Sequence, residues 1–213
     1  MNDFYDFETS PEILEEQDSG VWLSIGDLMS GLLMFFALLF ITVMVQLKQY
    51  QEALKNLPLI IQTAIEEKLG GSDVKVDPET GDVSIGDRIL FDEGSAELKP
   101  AGKQFLQQFI PTYSQIIFSE KTFDEMITRV VIEGHTSSFG DEQDNLDLSL
   151  KRALSVSNYI LSELNFETKA KFKYKILAAG RGEIDANQQT DNPTDRKVVF
   201  RFQLKRPDWN NLL

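Results

Sequence analysis

An apolar run from Val21 to Val45, VWLSIGDLMSGLLMFFALLFITVMV, carries a single charge, Asp27. No feature constrains the chain more. From Leu28 to Leu47 no residue is charged, and about 20 apolar residues in a helix span the hydrocarbon of a bilayer. The run therefore predicts one transmembrane helix over residues 21–46. A cleaved signal is a poor fit: the preceding flank is acidic, the apolar core is too long, and no small-x-small site follows at once. Asp27 is the costly element. A carboxylate at that depth costs at least about 2–3 kcal/mol unless it finds a partner, water or a proton, so it is read first as a functional residue.

The rest of the span is arranged around that acid. Ser24, Asp27 and Ser30 recur at intervals of three, with Gly31 one turn after Asp27, so a helix places them on one side. The opposite side is Leu, Met and Phe. A stripe of small and polar residues marks the face that packs on protein rather than lipid. Trp22 suits the membrane–water interface, and Lys48 and Lys55 follow the span. By the positive-inside rule those lysines weakly favour a cytoplasmic C-terminal part.

Composition narrows the functions further. The net charge is −13, and the first twenty residues hold seven acids and no Lys or Arg. Binding to nucleic acid depends on basic residues neutralising phosphates, so nucleic acid is not an expected partner. The acidic stretch 1–20 reads as a disordered tail. There are no cysteines and one histidine, His135, which leaves no thiolate site, no histidine-based triad and no multi-histidine metal site. The Asp92/Glu93 and Asp141/Glu142 pairs lie in turn-like, polar contexts and read as solvated. No catalytic residue, metal or cofactor is predicted.

Residues 47–72 read as a juxtamembrane linker, helical but polar, broken at Pro58 and stopped by Gly70-Gly71. Val74–Val76 and Val83–Ile85 flank a Pro-Glu-Thr-Gly-Asp turn and predict a hairpin. Helices are expected from Lys99 to Phe118 and from Leu146 to Leu164, and strands at Arg129–Glu133, Lys173–Ala179 and Lys197–Leu204. Strands and helices mingle without a dinucleotide-binding glycine signature. Residues 73–206 therefore read as an α+β domain, a small mixed sheet with helices on one face, followed by a tail at 207–213.

Three blocks in this domain resemble the OmpA-type peptidoglycan-binding family. They are Ile89-Leu-Phe-Asp-Glu-Gly-Ser-Ala-Glu-Leu98; Ile132-Glu-Gly-His-Thr136 with Asn145, Leu148, Ser149, Arg152 and Ala153; and Gly180-Arg-Gly-Glu183 with Asn187, Thr190 and Asp195-Arg-Lys-Val198. The first is similar to the family's opening strand and turn. The resemblance implies that the ligand is a peptidoglycan stem peptide, bound around Ser137, Asp144, Asn145, Leu148, Arg152 and Arg196. A guanidinium at Arg152 suits bidentate capture of a carboxylate, and Asn145 and Asp144 stand at a helix start, where backbone N–H groups also favour an anion. The chain departs from the family pattern at Ser137, where an Asp that pairs with the ligand's ammonium is usual. Asp144 or Asp141 is the expected substitute. His135 is expected to hold a turn by hydrogen bonding.

The N-terminal block, Trp22-Leu-Ser-Ile-Gly-Asp27-Leu-Met-Ser-Gly-Leu-Leu-Met-Phe-Phe36, resembles the start of MotB-type stator subunits, most nearly the ZorB type of the Zorya anti-phage defence system. Gly26 stands where Ala is more usual, and Ser30 where Thr is. This resemblance implies a homodimer of the chain inside a pentamer of a MotA-like membrane partner. Asp27 would be the ion-translocating residue, and the C-terminal domain would anchor to the cell wall. It also implies an inner-membrane protein with a cytoplasmic N-terminus and a periplasmic C-terminal domain, against the weak lysine bias. A flagellar MotB-type subunit, a TolR/ExbD-like energy transducer and a plain cell-wall tether are the alternative readings. Protons and sodium ions both suit a lone carboxylate.

Overall fold

A computed structural model describes residues 11–69, 74–119 and 121–205. The chain divides into two units, residues 1–52 and 53–213. Helix α1 spans Pro11–Leu69 and opens on a proline, a residue pre-set for the first helical position. Of the acidic stretch expected to be disordered, residues 1–10 lie outside the described residues and the remainder is helical. Among the described residues, Gly20–Gln49 is the one helical stretch long and apolar enough to cross a membrane. Its large side chains are exposed on every side, Trp22, Leu28, Met34 and Phe40 among them. Such a surface suits lipid or neighbouring membrane helices rather than water.

The second unit is an α+β domain. Its strands are β1 (Val74–Val76), β2 (Val83–Gly86), β3 (Ile127–His135), β4 (Ile176–Gly182) and β5 (Lys197–Leu204), and its helices are α2 (Asp87–Leu90), α3 (Pro100–Ser119), α4 (Lys121–Met126), α5 (Glu142–Ser162) and α6 (Lys169–Lys175). The sheet order is β1-β2-β5-β3-β4. Only β3 and β4 run parallel. The β1–β2 hairpin forms as expected: Asp77 Oδ1 accepts the Glu79 and Thr80 backbone N–H groups at 2.8 and 3.0 Å, and Gly81 takes a φ of +75°.

The core lies between the sheet and its helices. Phe109 and Tyr113 of α3 stack at 5.2 Å, and both meet Phe200 of β5 edge-on. Helix α5 lies directly on β3 and β4, and two glycines make that possible. A Cβ on Gly134 would stand 2.0 Å from the Ser149 carbonyl oxygen, and one on Gly180 would stand 2.7 Å from the Leu150 nitrogen. Both obstacles are backbone atoms that cannot swing away.

The stretch after the span differs from expectation at Pro58, at residues 173–175 and at the Ile89 block. Helix α1 passes through Pro58 instead of breaking there, and Leu57, Ile61 and Ile65 are buried in the domain core. Residues 173–175 belong to α6 rather than to a strand, because Lys175 and Lys171 turn towards Asp124, each within 2.7 Å of its carboxylate. The block starting at Ile89 is a helical turn followed by an isolated Phe91–Leu98 bridge; the strand is β2, just before it.

Gly134→Ala is expected to destabilise the domain by about 2–3 kcal/mol through backbone overpacking. A thermal melt of the full chain in detergent should show the domain transition lowered by roughly 5–10 °C, with an unchanged Tm counting against the α5–sheet contact.

Candidate functional site

The domain's polar centre forms where β2 and β5 end side by side. Gly86 pairs with Lys197, and the Asp87 backbone N–H donates to the Arg196 carbonyl at 3.1 Å. This register brings Asp87 and Arg196 together. From the other side, α5 delivers Arg152 into the interior, 2% exposed. Arg152 Nη1 donates to Asp87 Oδ2 at 3.2 Å, Nε donates to the Ser95 carbonyl at 2.9 Å, and the guanidinium lies 5.2 Å from the Phe91 ring centroid. Burial pushes the Arg152 pKa down, and Asp87 pushes it back. Arg152 is therefore held within the domain, with two of its donor groups already engaged, and is poorly placed to clamp a ligand carboxylate from solvent.

Arg196 is the more open cation. Its Nη1 donates to Asp191 Oδ1 at 3.0 Å and to Ser137 Oγ at 3.4 Å, while its Nε lies 3.9 Å from Asp87 Oδ2. Ser137 is buried. It hydrogen-bonds Asp191, and that bond together with the Arg196 charge holds the Asp191 carboxyl below its usual range. The acid beside position 137 is thus Asp191. Asp141, one expected substitute, uses its carboxylate to cap α5, accepting the Gln143 and Asp144 N–H groups at 2.9 and 3.3 Å. Asp144, the other, is exposed and has no described hydrogen bond to Ser137 or Arg196.

Of the residues expected to form the site, Arg152 and Arg196 come together around Asp87, and Ser137 stands against Arg196. Asn145 is buried and acts as a brace, its Nδ2 donating to the Phe139 carbonyl and to Glu183 Oε2. Leu148 is half-buried on α5. Asp87 and Asp191 were not singled out from the sequence. Asp87 lies two residues before the Ile89 block, and Asp191 lies five before Arg196, an interval that only the loop's fold converts into a contact.

His135 is buried, but it does not hold the turn as expected. The turn is closed by the Thr136 N–H donating to the Gly182 carbonyl at 2.9 Å, and His135 Nε2 has no hydrogen-bond partner among the described residues. The ring faces Glu133 and Asp185, each at 3.6 Å. Burial and the nearby Lys197 charge push its pKa down to about 4.

In the first unit, Ser24 Oγ donates to the Gly20 carbonyl at 3.0 Å and Ser30 Oγ to the Gly26 carbonyl at 2.7 Å. The span's hydroxyls thus satisfy themselves within the helix. The Asp27 carboxylate has no such partner among the described residues. A Cβ added at Gly26 or Gly31 would meet nothing within 4 Å, so no contact made by this chain alone calls for glycine there.

Residues 90–199 match the OmpA family. The Zorya protein ZorB of Escherichia coli (strain ATCC 8739) is 31% identical over 212 residues, covering 88% of this chain and 89% of that protein. The chain belongs to the ZorB family. A second Zorya protein ZorB, from Escherichia coli O139:H28, is 25% identical across 89% of this chain and 82% of its own length. The crystal structure of a MotB-like protein from Desulfovibrio vulgaris shares the fold, with a TM-score of 0.54 at 18% identity over 76% of this chain and 98% of that one.

The depressed His135 pKa has a signed consequence. Between pH 6.5 and 4 the unfolded chain binds a proton at this site that the folded domain refuses, so its contribution is complete above about 6.5 and is lost as pH falls towards 4. Acidification across that window should cost the domain about 2–3 kcal/mol. Denaturant unfolding of His135→Gln at pH 7 and pH 5 should show a flatter pH dependence than the wild type.

Proposed function

We propose that this chain is the ion-carrying, wall-anchored subunit of a membrane motor used in anti-phage defence. The observation that carries the reading is the lone Asp27 carboxylate in an apolar span, joined in one chain to an OmpA-family domain. In this reading the chain is an inner-membrane protein with a cytoplasmic N-terminus and a periplasmic domain. Two copies sit inside a pentamer of a MotA-like partner. Gly26 and Gly31, open in the single chain, are where neighbouring helices approach. Asp27 takes up a proton on the periplasmic side and releases it on the cytoplasmic side. Each charge crossing the membrane supplies about 2.3 kcal/mol per 100 mV, so a large mechanical step draws on several protons. With two Asp27 carboxylates in the dimer, alternating protonation turns the surrounding ring.

The domain holds the dimer still by binding peptidoglycan. We assign the ligand's ammonium to Asp191, which stands beside Ser137, and its carboxylate to Arg196, while Arg152 and Asp87 form the buried floor beneath them. Broken from either side, a buried pair of that kind leaves an uncompensated charge costing roughly 3–5 kcal/mol. Arg152 is thus a probe of folding, and Arg196 and Asp191 are the probes of binding.

Asp27→Asn should abolish phage protection and proton flux while the subunit still assembles with its membrane partner; a protected host would sink the motor reading. In pulldown on purified peptidoglycan, Asp191→Asn is expected to weaken binding about 10- to 100-fold, the worth of a charge-assisted hydrogen bond. Restoring the acid at its neighbour, in Ser137→Asp/Asp191→Ser, should recover most of that loss.

A further inference from the structure

We propose that the cleft between the β1–β2 hairpin and the 193–197 segment is an oxyanion subsite that receives stem-peptide carboxylates of peptidoglycan. The proposal rests on the wall-binding reading above and extends it to Lys75 and Arg88, outside the family blocks, and to Lys197 within the third. The cleft encloses about 330 Å³, and its charged lining is Lys75, Arg88, Arg196 and Lys197 against Asp87 and Asp195. That balance is unusual here, because the whole chain has 34 acidic residues and 21 basic ones.

The local pairing sharpens the imbalance. Asp87 is already bonded to Arg152 at 3.2 Å and Arg196 to Asp191 at 3.0 Å, while Asp195, whose Oδ2 accepts the Asn187 N–H at 2.9 Å, is the lining acid left without a cation among the described residues. Lys75, Arg88 and Lys197 have no ion-pair partner among the described residues. Elsewhere in the domain, basic side chains commonly rest against acids: Lys103 on Glu163, Lys171 and Lys175 on Asp124, Arg181 on Asp185, and Arg201 on Asp82. Three unmatched cations against one unmatched acid leave the concavity net positive, which attracts an anion. The volume is at the lower end of small-ligand sites.

Position selects the anion. Arg196 lines this cleft and also bonds Ser137 and Asp191. A peptide whose amino group meets Asp191 therefore passes Arg196 to enter the cleft. The stem peptide has an acidic residue beside its diamino acid, so it offers carboxylates at short chain separation from that ammonium. Lys75, Arg88 and Lys197 are the groups that bind them.

The test uses the full chain in nanodiscs and a soluble muropeptide, with free or amidated carboxylates. Lys75→Gln/Arg88→Gln/Lys197→Gln should bind the free form at least about tenfold more weakly, with a shallower salt dependence. Wild type should bind the amidated form about as weakly as the variant binds the free form. A thermal melt matching the wild type confirms that the variant is folded. Equal affinity of variant and wild type for the free muropeptide overturns the subsite and leaves the wall-binding reading standing. Failure of wild type to bind any muropeptide overturns both. Binding of phosphatidylglycerol vesicles in place of muropeptide, lost in the triple variant, would make the cleft a lipid site and likewise overturn the assignment.

Discussion

The domain depends on a charged pair placed where water does not reach. Arg152 and Asp87 are both buried and lie 3.2 Å apart. Desolvating two such groups is tolerable only because each has further partners: Arg152 has the Ser95 carbonyl and the Phe91 ring, and Asp87 has Arg196 close by. The pair joins α5 to the turn after β2, two elements 65 residues apart in sequence. It also sets what stands above it. With Asp87 matched from below by Arg152, Arg196 is left to engage Asp191 and Ser137 at the surface.

The motif arginine on α5 is a foundation in the fold: it is buried, and two of its donor groups are already engaged. The groups that meet solvent are Arg196, half-buried, and Asp191, exposed. Ser137 does not simply lose an acid relative to the family pattern. Its hydroxyl fixes the acid that a neighbouring loop supplies.

How much of this was legible in the sequence follows from the range of each interaction. The span needed only composition, and the β1–β2 hairpin only its turn residues. The glycines of Gly-His-Thr and Gly-Arg-Gly stood in the quoted blocks, and the structure gives their reason: α5's backbone lies against them. Asp87 and Asp191 escaped because nothing local marks an acid that becomes a partner only once β2 and β5 pair. The strand expected from Lys173 begins instead at Ile176 for a related reason, a long-range tether of Lys175 to Asp124 that overrides local preference. Leu57, Ile61 and Ile65 recur every four residues, and that stripe was the available sign that residues 53–69 pack on something.

Because Ser24 and Ser30 bond to their own helix, their side of the span offers small surfaces rather than unsatisfied hydroxyls. On that stripe Asp27 is the polar side chain with no partner among the described residues. Whether that carboxylate is charged decides whether the stripe is a row of satisfied small groups or one interrupted by an unmet charge.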